Sequence, residues 1–184
     1  MAGQAERRID DYLVVSARLG DRQAFGQLAL RWQKKLLVHA WRLLRDEEAA
    51  KDAVQDSWAE IVRGVRQLRD ERAFGAWAYR IVTRRCAGQI GRARKRRLLD
   101  EALSAEESLR VHQSAEPNGD IDLERVRNAI RLLPPPQQAA LALYYFEELS
   151  VGEVAVALDI PVGTVKTRLL HARRSLNQAL SGEE

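Results

Sequence analysis

The stretch that decides the fold lies near the C-terminus and reads Ser150-Val-Gly-Glu-Val-Ala-Val-Ala-Leu-Asp-Ile-Pro-Val-Gly-Thr-Val-Lys-Thr-Arg-Leu-Leu-His-Ala-Arg174. Ser150 is a favourable N-cap, and Glu153, three residues later, completes a capping box. Residues 159–163 (Asp-Ile-Pro-Val-Gly) interrupt the apolar pattern, and Thr164 restarts it. The stretch therefore predicts a helix, a tight turn and a second helix.

The second of these helices has an apolar side and a basic side. At about 100° per residue, the apolar stripe consists of Val165, Leu169, Ala172 and Leu176. The opposite side carries Lys166, Thr167, Leu170, His171, Arg173 and Arg174. From Pro161 to Arg174 there are four Lys or Arg residues and no acid. A helix with this pattern suits the major groove of DNA; the alternative is a surface hairpin with a solvated basic face.

Length and composition leave room for one domain or two small ones. The chain has 184 residues, of which 46% are hydrophobic, so it can bury sizeable cores. Its net charge of +4 is unevenly distributed. Residues 92–97 carry five positive charges, whereas residues 98–122 carry seven acids against Arg110. This asymmetry indicates a patch that faces nucleic acid beside an acidic, solvated segment.

Cys86 is the only cysteine. An intrachain disulfide is therefore excluded, and a reducing compartment fits. Because Cys86 lies in a helical pattern beside Val82 and Ile90, we expect a small buried residue; the alternative is a redox sensor. The N-terminus has no apolar run, and no stretch approaches 18 uninterrupted apolar residues, so neither a signal peptide nor membrane insertion is expected.

Helical periodicity also runs through the N-terminal half. It predicts a first helix over residues 9–19, with Gly20 at its C-terminal cap, and a second over residues 22–44, with Asp21 as its N-cap. The expected buried side of the second helix is Phe25, Leu28, Ala29, Trp32, Leu36 and Ala40. Four more helices are predicted, over residues 47–65, 73–97, 122–133 and 137–148.

The third predicted helix carries a row of acids. Four of them recur every four residues, opposite an apolar face: Glu48, Asp52, Asp56 and Glu60. Like charges at this spacing repel one another by roughly a few tenths of a kcal/mol per pair, so the row costs the helix stability. A solvated acidic face is one interpretation, but a docking surface for a basic partner explains the ordering better.

The fourth predicted helix combines aromatic and basic residues. Phe74 and Trp77 are expected to face inward mainly as core residues, and the other side shows Arg80, Arg84 and Arg85. A polar loop over residues 67–72 precedes them. Aromatic rings beside arginines suit single-stranded nucleic acid, because bases stack on rings while phosphates pair with guanidinium groups.

These segments together predict an all-α fold of two small helical domains joined by a flexible acidic linker. The first domain is expected to span residues 1–97 and the linker residues 98–122. The second domain, residues 123–184, contains the helix-turn-helix.

In this order, the motifs resemble those of a bacterial RNA polymerase sigma factor of the sigma-70 family, extracytoplasmic-function group. In the N-terminal half the resemblance rests on Gly20-Asp21…Ala24-Phe25, Asp52-Ala53-Val54-Gln55-Asp56 and Phe74…Trp77-Ala78-Tyr79-Arg80-Ile81. In the C-terminal half it rests on Leu133-Pro134…Gln137…Ala140-Leu141, Leu149-Ser150…Glu153-Val154-Ala155 and Gly163-Thr164-Val165-Lys166-Thr167-Arg168-Leu169…Ala172-Arg173.

The resemblance implies a role for each matching residue. Docking on the coiled coil of the polymerase β′ clamp is implied for Glu48, Asp52, Gln55, Asp56 and Glu60. Reading of the minus-ten element as melted strand, with one base flipped out, is implied for Leu68, Arg69, Asp70, Arg72, Ala73, Phe74, Trp77, Arg80 and Arg84. Reading of the minus-thirty-five duplex is implied for Thr164, Lys166, Thr167, Arg168, Leu170, His171, Arg173 and Arg174.

Within the last set, Lys166, Thr167, Leu170 and His171 take the base-facing positions. The phosphate candidates are Arg168, Arg173 and Arg174. This chain departs from the family pattern at three positions: Arg84 stands where Asn is frequent, Gly88 where Asp is frequent, and His171 where Arg is common.

The partners implied by the resemblance are core RNA polymerase, through its β′ clamp and β flap, promoter DNA and an anti-sigma protein. The acidic linker is expected to thread toward the active-site and RNA-exit channels of the polymerase. Such a protein would lie in the bacterial cytoplasm on the nucleoid.

The sequence predicts neither an enzyme nor a cofactor or metal site. His39, His112 and His171 are far apart, and none pairs with Cys86 at a metal-ligand spacing. No Walker-type phosphate loop and no Gly-x-Ser-x-Gly motif occurs.

Two other classes of function stay open at this point. A stand-alone helix-turn-helix regulator with an N-terminal helical domain would protect palindromic duplex DNA without polymerase. An interaction protein with merely solvated charged faces would show a salt slope near zero on promoter DNA.

Overall fold

The structure, a computed structural model, describes residues 2–103 and 121–181. In these ranges there are eight α-helices, α1 to α8, and no strand: Ala2–Arg18, Arg22–Leu44, Glu47–Gly64, Phe74–Leu103, Ile121–Leu132, Pro135–Leu141, Val151–Leu158 and Val162–Ser181. Two 3-10 turns, Val65–Gln67 and Glu71–Ala73, connect α3 to α4, and a π-helical turn, Ala142–Phe146, follows α6. The all-α prediction is confirmed.

Local signals set the helix ends in the N-terminal half. Gly20 follows α1 with φ at 99°, a left-handed conformation that suits glycine. The side chain of Asp21 then accepts hydrogen bonds from the backbone N–H groups of Gln23 (2.8 Å) and Ala24 (3.1 Å), which caps α2. Both predicted caps are confirmed, whereas α1 begins at Ala2, earlier than the predicted residue 9.

An aromatic cluster forms the centre of the N-terminal core. The Trp32 ring meets Phe74 edge-on at a centroid distance of 5.2 Å and Tyr79 at 5.7 Å. Its indole N–H donates to the Asp10 carboxylate at 3.1 Å, and Arg31 holds the same carboxylate at 2.6 Å. The cluster therefore fastens α1, α2 and α4 together.

His39 is a core residue that the sequence pattern did not identify. Its ring is fully buried, lies 5.0 Å from Tyr79 and shares a hydrogen bond with the Thr83 hydroxyl at 2.9 Å. Burial, and secondarily the charge of Arg42, lower the pKa of His39 from 6.5 to about 3. The neutral ring is therefore the form that the core accommodates.

Acidification is expected to destabilise the fold through His39. Because the unfolded imidazole binds its proton near pH 6.5 and the folded one only near pH 3, the unfolded state holds more protons in between. Stability due to His39 is therefore intact above pH 6.5 and falls as the pH drops toward 3, by about 2 kcal/mol at pH 5. Urea unfolding at several pH values measures this loss. His39→Gln, which does not titrate, should lose clearly less, and equal losses would contradict the assignment.

The C-terminal half differs from the prediction between α5 and α7. Helix α6 begins at Pro135, not at residue 137, because proline is tolerated in the first turn of a helix. After Leu141 the chain widens into the π-helical turn, where the Glu147 N–H donates to the Ala142 carbonyl at 3.2 Å. Leu143 is thereby fully buried, whereas Tyr145 is 48% exposed.

The two halves of the described chain share one continuous core. Helix α7 packs against α4, and the buried cluster continues from Val82 on α4 to Leu149 and Val154 in the C-terminal half. A second, smaller cluster of Leu133, Leu141 and Ala172 joins α5, α6 and α8. The helix-turn-helix therefore lies against the N-terminal helices.

Three further predictions concern the linker, Cys86 and membrane insertion. Helix α4 extends to Leu103, so it continues into the segment assigned to the linker, whose residues 104–120 lie outside the described ranges. Cys86 is fully buried as predicted, and burial raises the pKa of its thiol to about 12, which disfavours a redox role. Among the described helices, none combines the length and the apolar character that a membrane span requires.

Candidate nucleic-acid and partner interfaces

The helix-turn-helix is built as its sequence indicates. The Ser150 hydroxyl accepts from the Glu153 N–H at 3.2 Å, and the Glu153 carboxylate accepts from the Ser150 N–H at 2.7 Å, so the capping box starts α7. Asp159, with φ at 55°, ends α7. The Pro161 carbonyl accepts the N–H groups of Thr164 and Val165 and starts α8.

Helix α8 divides into the two predicted sides. Val165, Leu169 and Ala172 are at most 4% exposed and fix the apolar side to the domain. All four base-facing candidates are exposed: Lys166, Thr167, Leu170 and His171. Among the phosphate candidates, Arg173 and Arg174 are exposed and Arg168 is half-buried. The geometry leaves a free face that a DNA groove can accept.

Two of these side chains are held by contacts that the sequence pattern did not reveal. The Thr167 hydroxyl donates to the Gly163 carbonyl at 3.0 Å, so towards a base it can only accept a hydrogen bond. The Arg173 Nε donates to the Tyr145 hydroxyl at 2.6 Å, and the guanidinium lies 5.6 Å from that ring. Tyr145 therefore positions Arg173 from 28 residues away, a separation that no periodicity rule covers.

The acidic row on α3 is less uniform than its spacing suggests. Glu48 pairs with Lys51 at 2.8 Å, and at the other end Glu60 pairs with Arg84 and, at 3.2 Å, with Arg85. Burial by itself would raise the pKa of Glu60, but the hydrogen bond and charge of Arg84, with those of Arg85, outweigh it and lower the pKa.

The middle of the same row is free. Asp52, Gln55 and Asp56 are exposed, and in the described part of the chain neither aspartate has an ion-pair partner. Unpaired carboxylates in a row are available to a basic partner. The docking candidates thus separate into a free centre and two ends that are engaged within the chain.

The predicted minus-ten segment surrounds the connection between α3 and α4. Asp70 accepts from the Arg72 N–H at 3.0 Å and pairs with its side chain at 3.2 Å, which orders the 3-10 turn Glu71–Ala73. Leu68 is half-buried, and Arg69 is exposed. Phe74 is 2% exposed in the core, so a base cannot stack on its ring in this arrangement.

Helix α4 carries the remaining minus-ten candidates. Trp77 is half-buried, with its ring against Phe74 and next to Gly64. Arg84 is engaged by Glu60, and Arg80 pairs with Asp159 of the helix-turn-helix at 2.9 Å. Among these minus-ten candidates Arg69, Arg72 and Arg84 are exposed, and within the described ranges only Arg69 has no ion-pair partner.

Replacing Gly64 with alanine is expected to displace Trp77. A Cβ at this position would lie 2.7 Å from Trp77 Cζ2, too close for an unmoved ring. Urea unfolding should show a loss of about 1–3 kcal/mol. The matched control is Gly88→Ala on α4, where nothing lies within 4 Å and the helix should gain about 1 kcal/mol. A stable Gly64→Ala protein with unchanged tryptophan fluorescence would contradict the expected clash.

In the described ranges, no group of three or more His, Cys, Asp or Glu side chains could hold a metal ion. The interfaces described above consist of charged and aromatic side chains on helices. Side chains of these types suit contacts with nucleic acid and with a basic protein surface.

Comparison with known families identifies both halves. Residues 28–96 match the family model described as Sigma-70 region 2, and residues 123–176 match that of Sigma-70, region 4. The first match contains the acidic row on α3 and residues 74–96 of α4, and the second contains the helix-turn-helix.

Whole-length relatives carry related names. The chain is 31% identical to the RNA polymerase sigma-H factor of Pseudomonas aeruginosa, over 93% of each chain. It is 30% identical to the ECF RNA polymerase sigma-E factor of Haemophilus influenzae, over 96% of this chain and 97% of that one. ECF RNA polymerase sigma factor SigM of Mycobacterium tuberculosis is also 30% identical, over 97% and 88%.

Two solved structures share the fold. Sigma factor RpoE in complex with the anti-sigma factor NepR from Bartonella quintana aligns with a TM-score of 0.67 at 25% identity, covering 87% of this chain and 98% of that one. CnrH in complex with the cytosolic domain of CnrY aligns with a TM-score of 0.68 at 23% identity, covering 96% and 99%.

Proposed function

This chain belongs to the extracytoplasmic-function group of the sigma-70 family, and on that premise we propose that it binds core RNA polymerase and directs transcription initiation at selected promoters. One observation carries the proposal. The free face of α8 and the free carboxylates of Asp52 and Asp56 lie in the two matched segments of one chain, so a DNA-binding and a protein-binding surface are both open.

Core polymerase binds the centre of the acidic row. Asp52, Gln55 and Asp56 contact the basic surface of the β′ clamp. Glu48 also contributes, once its carboxylate leaves Lys51 and pairs with a basic residue of the polymerase. Glu60 acts within the chain by holding Arg84 and Arg85, which its two ion pairs support. The C-terminal domain, from residue 123 onward, meets the β flap.

The minus-ten element is read as melted strand by the turn before α4 and the start of that helix. Arg69 and Arg72 contact phosphates, and Trp77 offers the accessible ring edge for a base. The ion pair with Glu60 holds Arg84 near these residues. At position 84 the family pattern frequently has Asn. We therefore expect a minus-ten preference unlike that of relatives with Asn at this position.

The minus-thirty-five element is read as duplex by α8. Lys166, Thr167, Leu170 and His171 face the bases, and the exposure of all four supports this assignment. Arg168, Arg173 and Arg174 contact phosphates and fix the register of the helix in the groove. Thr167 accepts a hydrogen bond from a base amino group, because its own proton is already donated to Gly163.

Catalysis belongs to the polymerase and not to this chain, which acts in the cytoplasm on nucleoid DNA. An anti-sigma protein is the expected regulator. The similarity to the RpoE sigma factor, whose solved structure contains the anti-sigma factor NepR, supports that expectation.

The test is run-off transcription with purified chain and core polymerase on a genomic promoter library. Transcripts that begin at a defined set of promoters support the proposal and reveal both promoter elements. If core polymerase does not bind the chain, the proposal fails. Protection of palindromic duplex DNA by the chain without polymerase would instead favour a stand-alone regulator.

A further inference from the structure

One arginine on the exposed side of α8 is held by a residue outside the helix-turn-helix. The Arg173 Nε donates to the Tyr145 hydroxyl at 2.6 Å, and the guanidinium lies 5.6 Å from the centre of the same ring. Tyr145 belongs to the π-helical turn, a rare geometry that proteins often use at functional sites. The Tyr144 ring meets the Tyr145 ring edge-on at 4.9 Å, so the tyrosine that holds Arg173 is itself packed.

Tyr145 also has a hydrogen-bond donor that the described part of the chain does not use. A tyrosine hydroxyl can accept a hydrogen bond and donate one at the same time. The Tyr145 oxygen accepts the Arg173 N–H, and in the described ranges its own proton has no acceptor. Because Tyr145 is 48% exposed, an acceptor outside the chain can meet this proton.

The Arg173 guanidinium likewise keeps free donors and a free charge. Tyr145 takes only Nε, so the N–H groups of the two terminal nitrogens remain for a ligand. Arg173 is exposed, and within the described residues it has no ion-pair partner. Helix α8 contains no acid over its 20 residues. An anion that approaches this side of α8 therefore meets attraction without repulsion from a carboxylate on the same helix.

The position of Arg173 along α8 fits a phosphate contact. Lys166, Leu170 and Arg173 recur at helical spacing along one edge of the exposed side. At a rise of about 1.5 Å per residue, Arg173 lies about 10 Å along the helix from Lys166. The major groove is about 12 Å wide, so a helix whose first turns touch base edges brings this residue to the phosphates that border the groove.

We propose that Tyr145 contacts DNA, and that its hydroxyl and the Arg173 guanidinium together clamp one backbone phosphate of the duplex beside α8. This inference rests on the proposed function, since it concerns the surface that reads the minus-thirty-five element. The hydroxyl donates to one phosphate oxygen, and the terminal guanidinium nitrogens donate to another. Because Tyr145 already holds Arg173, phosphate binding restricts fewer side-chain rotations than it would for a free arginine. The clamp strengthens binding to every sequence alike.

The first measurement is the affinity of the full-length chain for a fluorescent DNA duplex of random sequence at several salt concentrations. Tyr145→Phe keeps the ring and removes the hydroxyl, so affinity should fall by about tenfold at each concentration. The salt slope should match that of wild type, because the arginine keeps its charge, whereas Arg173→Ala should reduce the slope by about 1. Tyr144→Phe is the matched control and should bind as wild type does, since the Tyr144 hydroxyl has no hydrogen-bond partner within the described ranges.

A double variant separates a clamp from two independent contacts. In the Arg173→Ala background, Tyr145→Phe should lower affinity by less than about threefold, because the hydroxyl then lacks its partner. Urea unfolding should give Tyr145→Phe a midpoint close to that of wild type, since the residue is half-exposed, and this excludes misfolding as the cause. Equal effects in both backgrounds, wild-type affinity in Tyr145→Phe, or no duplex binding by the wild-type chain would each overturn the proposal.

Holoenzyme provides the second readout. On a minus-thirty-five site selected by the wild-type protein, the phosphates are replaced one at a time by uncharged methylphosphonates. One replacement should weaken wild-type binding by about tenfold and affect Tyr145→Phe clearly less. A changed base preference in Tyr145→Phe would overturn the phosphate assignment. Failure of the chain to bind core polymerase would refute the proposed function, whereas the duplex measurements on the chain alone would still decide whether the clamp exists.

Discussion

Reversing two charges, Asp52→Lys with Asp56→Lys, is expected to lower affinity for core RNA polymerase by about 100-fold or more. Charged pairs that lose water at a protein interface contribute about 2–5 kcal/mol when one partner is removed, and a reversal adds repulsion. Both aspartates are exposed, and neither has an ion-pair partner in the described ranges, so all of their pairing capacity is available to the polymerase.

The fold should tolerate this double reversal. Lysines at positions 52 and 56 would stand four residues from Glu48 and Glu60 and replace repulsion with attraction of about 0.2–0.5 kcal/mol per pair. Urea unfolding should therefore show equal or greater stability, while a fluorescence titration with core polymerase shows the loss of affinity. Glu6→Lys with Asp11→Lys makes the same change in net charge on α1 and should leave polymerase affinity nearly unaltered. If the Asp52/Asp56 variant binds core polymerase with wild-type affinity, the acidic row is not part of the docking surface.

Exchanging His171 for arginine is expected to change which base is preferred at one position of the minus-thirty-five element. A guanidinium donates two parallel hydrogen bonds to guanine O6 and N7, which an imidazole cannot do. Such a contact discriminates against the wrong base by about 1–3 kcal/mol, or about 5- to 150-fold. His171 is exposed on the free face of α8, so the longer side chain enters the groove without displacing the core.

The measurement is selection of randomised duplex sites by holoenzyme carrying each variant. His171→Arg should enrich guanine at one position and leave the others unchanged. Arg174→Ala provides the contrast, since loss of a phosphate contact should weaken all sites alike and reduce the salt slope by about 1. Identical site preferences for wild type and His171→Arg would show that residue 171 does not face a base.

The sequence predicted the helices and their ends well because those signals are local. The capping box of Ser150 and Glu153, the cap at Asp21 and the apolar stripe of α8 each depend on residues within a few turns of one another. The predictions that differed lie at the start of α1, at the end of α4, at the prolines before α6 and at the π-helical turn. At that turn, packing of Leu143 into the core decides the backbone, and no local pattern encodes it.

The functional residues likewise divide into properties that local sequence predicts and properties that depend on tertiary contacts. The exposed sides of α8 and of the centre of α3 follow from helical periodicity, so the sequence by itself determined which residues can face DNA and polymerase. Which of those side chains are free was decided only by the tertiary structure. Glu60 and Arg84 engage each other across 24 residues, Arg173 and Tyr145 across 28, and Arg42 and Glu147 across 105. Ion pairs and hydrogen bonds at such separations form because helix packing brings the partners together, and packing depends on the whole core.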